Sequence, residues 1–258
     1  MAGPILVFDS GVGGLSVVAA LRERLPQAAL AYACDNAMLP YGRREDAWLV
    51  RRILAVCDAA VRTSGCVALV VACNTASTLA LDALRERLRI PVVGTVPAIK
   101  PAAALSRSGH IGLLATSATV SRPYTLRLIE TFATDCTVRR IAADPLVREA
   151  ERRLAGEAHD AAVIEEALAQ LWEDPELDTV VLGCTHFPLL RDALAAAASR
   201  EVAWVDSSEA IARRTAQVAA GVAPAAGPGA SFATAPDAAL ASALARFGFA
   251  APQLLHLD

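Results

Sequence analysis

The sequence predicts an α/β protein made of two similar lobes with mostly parallel sheets. Two observations support this fold class. Short apolar runs alternate with helical patterns along the 258 residues, which is typical of repeated βα units. The pattern also restarts midway, because a buried strand that ends in Cys73 is matched by a later one that ends in Cys184. The two cysteines are separated by roughly 110 residues, about the length of one small domain.

The first half of the chain contains four predicted strands, and helical patterns follow the first three. The central strand has no polar alternation, as expected for a strand that is buried on both faces of a parallel sheet. The predicted strands are Ile5–Phe8, Leu30–Ala33, Val67–Ala72 and Pro91–Gly94, and the predicted helices end near Leu25, run from about Arg44 to Thr63 and cover Thr75–Leu88.

The second half repeats this alternation and then returns to the first lobe through a C-terminal tail. The loop at 219–230 is rich in Ala, Gly and Pro. The predicted strands are His110–Ala115, Val138–Ala142, Thr179–Gly183, Val202–Val205, Ser231–Thr234 and Leu254–Leu257, and the predicted helices are 116–132, Pro145–Trp172, Pro188–Ala198, Ser208–Ala220 and Pro236–Phe247. We therefore expect residues 1–97 and 208–258 to form the first lobe and 98–207 the second, with the active site in the cleft between them.

Composition excludes several classes of protein. The chain is 55% hydrophobic and 20% charged, so it can bury a substantial core. A net charge of −3 without a basic face argues against nucleic-acid binding. No apolar run reaches the ~20 residues that span a membrane, and no basic region precedes the first strand, so we expect a cytoplasmic protein.

The cysteines and the lysine narrow the possible cofactors. A reducing compartment argues against disulfides among the six cysteines. No pair has CxxC spacing and the four histidines do not cluster with the cysteines, so we expect no zinc site. Lys100 is the only lysine and lacks the context of a pyridoxal-phosphate site. We therefore expect an enzyme without cofactor or metal.

Cys73 and Cys184 are the candidate reactive groups. Each precedes a predicted helix, at about Thr75 and Pro188 respectively, and a helix N-terminus favours the thiolate. Two acid/base groups of the same kind on opposite faces of a carbon can invert it by removing and returning a proton. A single cysteine at a strand end is usually a core residue. The residues alone thus predict a two-thiol α/β enzyme, with a racemase as one reading.

Polar residues follow the strands beside both cysteines. A racemase must stabilise the carbanion that forms when Cα is deprotonated, and helix N-termini attract carboxylates. Asp9 and His186 are candidates for tuning the thiols, although Asp9 alone could be a helix cap. The candidate donors to the substrate include Ser10 with the backbone at 11–14, Asn74, Thr75, Thr116, Thr119, Thr185 and His186.

Four stretches of the sequence match a known family in order and spacing. They are Phe8–Gly14 (FDSGVGG), Asp35–Gly42 (DNAMLPYG), Ala72–Ser77 (ACNTAS) and Leu182–Leu190 (LGCTHFPLL). On these motifs the chain resembles the bacterial glutamate racemases of the aspartate/glutamate racemase superfamily, from the first strand to about Ser208.

The resemblance implies a function and a residue set. Cys184 would deprotonate L-glutamate and Cys73 D-glutamate, with Asp9 and His186 as their helpers. The family supplies D-glutamate for peptidoglycan without pyridoxal phosphate or metal and often forms homodimers. Family members also carry a Glu soon after a Pro-aliphatic-Val stretch; whether Glu149 takes that place here is open. The implied substrate-site residues are Asp9, Ser10, Tyr41, Gly42, Asn74, Thr75, Thr116, Thr119, Thr185 and His186.

Two alternatives remain at this point. The same chemistry serves racemases for aspartate or a related amino acid, and pocket size decides between the substrates. A binding or regulatory protein of this fold without catalysis is the other alternative. The presence of both cysteines, Asp9 and His186 argues against a lost active site.

Overall fold

The computed structural model of the protein describes residues 2–257, apart from the side chain of Arg43. The strands of the described residues fall into two parallel sheets, so the predicted fold class is confirmed. They are β1 (Ile5–Asp9), β2 (Leu30–Cys34), β3 (Ala68–Val71), β4 (Val92–Gly94), β5 (His110–Ala115), β6 (Thr137–Ala142), β7 (Thr179–Leu182), β8 (Ala203–Val205), β9 (Ser231–Ala233) and β10 (Gln253–Leu254).

Helices follow most of the strands. They are α1 (Leu15–Arg24), α2 (Asp46–Ser64), α3 (Asn74–Arg87), α4 (Ile99–Leu105), α5 (Ser117–Ser121), α6 (Pro123–Phe132), α7 (Pro145–Ala155), α8 (Ala161–Ala169), α9 (Arg191–Ala197), α10 (Ser208–Val218) and α11 (Ala238–Arg246), with 3-10 turns at Asn36–Met38, Tyr41–Arg43, Gln170–Glu173 and Phe187–Leu190. Within residues 2–257 no helix combines the length and the apolar character that crossing a membrane requires.

The chain divides into two compact units. The first runs from the N-terminus to Thr95 and resumes at Ser208, and the second is Val96–Ser207. The sheet of the first unit has the strand order β10-β9-β2-β1-β3-β4, and that of the second has β6-β5-β7-β8. The central strands β1, β2, β3 and β7 are buried along their whole length, which explains their uninterrupted apolar sequences.

The sheet order decides which strand ends are neighbours. β1 pairs with β2 on one side and β3 on the other, so the carboxyl ends of these three strands lie together. In the second unit, β7 pairs with β5 and β8. Carboxyl ends of parallel strands are where α/β proteins hold ligands, and Cys73 and Cys184 each follow such an end.

The structure corrects several predicted elements. The predicted helix over Pro145–Trp172 is broken after Ala155, because Gly156 adopts φ 90°, a left-handed cap that favours glycine. Helix α4 was not predicted at all. The last strand is Gln253–Leu254, so its prediction at Leu254–Leu257 was wrong in position.

Asp178, before β7, stabilises the loop that leads into β5. Its carboxylate accepts hydrogen bonds from the Ser106 hydroxyl and from the amides of Arg107 and Ser108, at 2.7, 2.8 and 2.9 Å. Partial burial alone would raise the pKa of Asp178, but these hydrogen bonds outweigh it and hold the pKa well below its usual value.

We expect Asp178→Asn to lower the free energy of unfolding by about 1–2 kcal/mol at pH 7, because an amide accepts fewer of these bonds. The depressed pKa means that the contribution is present above the unfolded-state pKa and is lost as pH falls through the folded one. Urea denaturation at pH 7 and pH 3 measures both effects. A variant as stable as the parent at pH 7 would contradict the expectation.

Candidate active site

Cys73 lies at the N-terminus of the 14-residue helix α3, as its N-cap residue. Its carbonyl accepts the Ser77 amide at 2.8 Å, so the helix begins directly after the cysteine. The side chain is buried. The first-turn amides of a helix have no intrahelical partners and carry partial positive charge. Cys73 therefore occupies the setting that the sequence predicted for it, which favours a thiolate.

The loop after β1 supplies the neighbours of Cys73. The Ser10 hydroxyl lies 3.7 Å from the Cys73 Sγ. The Asp9 carboxylate accepts the Gly14 amide at 2.7 Å and thereby shapes the loop. A Cβ on Gly14 would lie only 3.0 Å from both the Asp9 Cβ and the Tyr32 hydroxyl, so glycine allows this close approach without displacing either group. Asp9 and Ser10 are both buried beside the thiol's strand, and the role of Asp9 as a helper of Cys73 stays a prediction.

The other predicted residues of the first unit differ in exposure. Asn74 and Thr75 are buried in the first turn of α3. The Asn74 Oδ1 is buried and has no hydrogen-bond partner among the described residues. Tyr41 is buried, whereas Gly42 is exposed. The Tyr41 hydroxyl donates to Asp35 at 2.9 Å, and burial together with the negative charge of Asp35 raises the pKa of Tyr41 well above its usual value.

Cys184 follows β7 after Gly183 and is also buried. The helix predicted from Pro188 is in fact a 3-10 turn over Phe187–Leu190, and α9 begins only at Arg191. The prediction that Cys184, like Cys73, directly precedes an α-helix is therefore wrong. The two thiols have different surroundings: Cys73 lies at a helix N-terminus, whereas a side chain that can carry positive charge lies beside Cys184.

That side chain is His186. Its Nδ1 lies 3.8 Å from the Cys184 Sγ, and its Nε2 lies 2.7 Å from the Glu151 Oε1. Burial alone would lower the pKa of His186, but the interactions with Cys184 and Glu151 outweigh burial and raise its pKa well above the usual value. These contacts favour the imidazolium form of His186. A protonated histidine beside a thiol favours the thiolate.

Glu151 is a site residue that the sequence analysis missed. Glu149, the candidate considered for the family's acidic position, instead accepts the Asp160 amide at 2.7 Å and is buried. Glu151 lies two residues further along α7 and contacts His186. A contact across 35 positions leaves no local pattern that could reveal it.

Three threonines are the remaining predicted site residues of the second unit. Thr116 follows β5, the neighbour of β7, and is the N-cap of the five-residue helix α5. Its hydroxyl lies 3.1 Å from that of Thr119. Thr119 and Thr185 are buried. No group of three or more His, Cys, Asp or Glu suited to a metal ion occurs within residues 2–257.

The whole chain is similar to proteins of one family. A sequence model described as Asp/Glu/Hydantoin racemase matches residues 15–215. The glutamate racemase of Shewanella sp. (strain MR-7) is 51% identical over 214 residues, which are 83% of this chain and 78% of that protein. The glutamate racemase of Pectobacterium carotovorum subsp. carotovorum (strain PC1) is 50% identical over 213 residues, 82% of this chain and 75% of that one.

Solved structures give the same result. The crystal structure of Escherichia coli glutamate racemase in complex with L-glutamate and the activator UDP-MurNAc-ala matches with a TM-score of 0.94 at 42% identity, covering 100% of both chains. The Thermus thermophilus glutamate racemase, in complex with beta-chloro-D-alanine, matches with a TM-score of 0.79 at 34% identity, covering 99% of this chain and 97% of that one. The resemblance predicted from the four motifs is confirmed, and the chain belongs to the Asp/Glu/hydantoin racemase family.

Proposed function

We propose that this chain is a glutamate racemase, an isomerase that interconverts L- and D-glutamate with Cys73 and Cys184 as its two acid/base groups. One observation carries the mechanism: each thiol is buried at the end of a parallel strand and has a polar partner of its own. Ser10 lies beside Cys73, and the His186–Glu151 pair lies beside Cys184. The relatives at about 50% identity are glutamate racemases, which favours glutamate over aspartate.

In the forward reaction the Cys184 thiolate removes the α-proton of L-glutamate and becomes a thiol. The Cys73 thiol delivers its proton to the opposite face of the same carbon and becomes a thiolate. The reverse reaction exchanges the two roles, as a two-base mechanism requires. No proton is gained or lost in either direction, and the enzyme returns to its starting state by exchanging protons between the thiols and water.

The polar residues stabilise the carbanion that forms after one thiolate has removed the α-proton and before the other thiol returns one. The Cα–H of an amino acid is a very weak acid, so charge that develops on the substrate needs preorganised donors. Asn74 and Thr75 lie in the first turn of α3, where backbone amides attract a carboxylate. Ser10, Thr116, Thr119 and Thr185 add hydroxyl groups, and Tyr41 and Gly42 border the Cys73 side.

We further infer the setting of the reaction. It requires neither pyridoxal phosphate nor a metal ion, since the two thiols and the surrounding donors supply proton transfer and charge stabilisation. The chain acts as a homodimer and provides D-glutamate for peptidoglycan, as the resemblance implies, and we place it in the cytoplasm, as the sequence predicts.

The test is circular dichroism of the purified protein with L-glutamate and, separately, with D-glutamate, in buffer containing EDTA and no cofactor. We expect the signal to decay to zero from both enantiomers. Decay with aspartate but not with glutamate would show that aspartate is the substrate. No decay with either amino acid would favour a non-catalytic binding protein. A strict requirement for pyridoxal phosphate or a metal ion would contradict the mechanism.

A further inference from the structure

The C-terminal tail binds the loop that carries Tyr41 and Gly42. Strand β9 extends the first sheet by pairing with β2, and Thr234 directly follows it. The Thr234 amide donates to the Cys34 carbonyl at 3.1 Å, which continues the ladder by one residue. The tail therefore ends its strand beside Asp35, at the start of the segment Asn36–Gly42, which we call the 36–42 loop.

Two residues of the tail then bind this loop, Thr234 through its hydroxyl and Ala235 through its backbone. The Thr234 hydroxyl donates to the Asp35 Oδ1 at 2.8 Å and accepts the Ala37 amide at 3.2 Å. Asn36 and Ala235 exchange a reciprocal pair of hydrogen bonds, at 2.6 and 3.0 Å. Residues that lie 197 or 199 positions apart thus make four hydrogen bonds. We call this group of four bonds the tail clasp.

The tail clasp is centred on a buried charge. The Asp35 carboxylate is fully buried and accepts both the Nε and the Nη2 of Arg52, at 2.9 and 2.7 Å. The Tyr41 hydroxyl donates to the same carboxylate. Each carboxylate oxygen accepts two hydrogen bonds. Oδ1 accepts one from Arg52 and one from Thr234, and Oδ2 accepts one from Arg52 and one from Tyr41. A buried charge that loses one partner is costly, so the four groups hold one another in place.

We propose that Thr234 is a positioning residue for the racemase reaction, acting through Asp35 on the 36–42 loop. The inference rests on the proposed function, in which Tyr41 and Gly42 border the substrate. Thr234 lies outside residues 15–215, which the family's sequence model matches. The tail thereby acts on the Cys73 side of the site through the 36–42 loop.

The test compares Thr234→Val with Thr234→Ser. Valine keeps the shape of threonine but neither donates to Asp35 nor accepts from Ala37, whereas serine keeps the hydroxyl. We expect the valine variant to lower kcat/KM for glutamate about tenfold, since small displacements of positioning groups cost tenfold to a hundredfold. The serine variant should recover activity to within about twofold of the parent.

A second measurement distinguishes positioning from general destabilisation. In Thr234→Val we expect amide hydrogen exchange to quicken in the 36–42 loop and to stay unchanged in α3. The matched control is Thr215→Val, because Thr215 is a threonine of the same unit whose buried hydroxyl donates to the Ile211 carbonyl within α10, and not to the 36–42 loop. That control should leave kcat/KM and the loop's exchange at parent values.

The outcomes are distinct. If the parent chain does not racemise glutamate, the proposed function falls. If the parent is active and Thr234→Val equals Thr215→Val in activity and loop exchange, the positioning role falls and the proposed function stands. Equal losses in the valine and serine variants would also overturn it. Should the valine variant not fold, Asn36→Ala tests the tail clasp instead, because Asn36 is partly exposed and makes the two bonds to Ala235. This variant must then quicken amide exchange in the 36–42 loop and lower kcat/KM.

Discussion

Replacing Cys73 or Cys184 by serine is expected to lower kcat/KM for glutamate about a thousandfold or more, while the protein stays folded. A hydroxyl has nearly the volume of a thiol, but it ionises far less readily, and positioned acid/base groups contribute about 10²–10⁴-fold each. Circular dichroism follows racemisation, and thermal unfolding checks the fold. Cys136→Ser is the control, because Cys136 is also a free cysteine but lies outside the proposed site. Near-normal turnover in either active-site variant would contradict the two-base mechanism.

The direction in which each thiol works requires a separate measurement. L- and D-glutamate have equal free energy in water, so kcat/KM must fall equally in both directions whichever thiol is lost. Exchange of the α-hydrogen in D₂O avoids this constraint. With Cys184 intact, Cys73→Ser should incorporate deuterium faster into L-glutamate than into D-glutamate, and Cys184→Ser should show the opposite preference. A reversed preference would exchange the assigned roles of the two cysteines.

The second large effect is expected at the histidine beside Cys184. His186→Asn should lower kcat/KM about a hundredfold, since it removes the cation that favours the thiolate. Glu151→Gln should lower kcat/KM about tenfold, by analogy with the carboxylates that orient metal-ligating histidines. Steady-state kinetics with both enantiomers measures these losses. An effect of Glu151→Gln as small as that of an ordinary surface substitution would show that the 2.7 Å contact does not support catalysis.

The pH profile tests the charge of His186 directly. The interactions with Cys184 and Glu151 raise the pKa of His186, so the imidazolium persists above pH 6.5 and is lost only as pH rises through the folded-state pKa. We therefore expect the alkaline decline in kcat/KM to begin at lower pH in Glu151→Gln, which removes one cause of the raised pKa. Glu149→Gln is the matched control on the same helix. Glu149→Gln should lower the free energy of unfolding without changing the pH at which kcat/KM begins to fall.

Sequence patterns determined the architecture because the signals involved are short-range. An unbroken apolar run such as Val67–Ala72 fits a strand that is buried on both faces, and β3 is one. The four motifs also gave the family, since each combines several residues at fixed spacing. The ends of the helices were predicted less well. The predicted helix ran on past Gly156, which in fact ends α7, and no strong boundary residue marks α4 in the sequence.

Only the tertiary structure decided which distant residues meet. Sequence placed His186 beside Cys184 but could not pair it with Glu151, which α7 brings to the imidazole. Nor could sequence predict that Thr234, in an Ala/Pro-rich tail, would bind Asp35. Such contacts depend on strand order and helix packing, which sum many weak interactions across the chain. The sequence alone predicted the two thiols and the chemistry that we propose for them, while only the tertiary structure decided which distant polar and charged groups lie beside them.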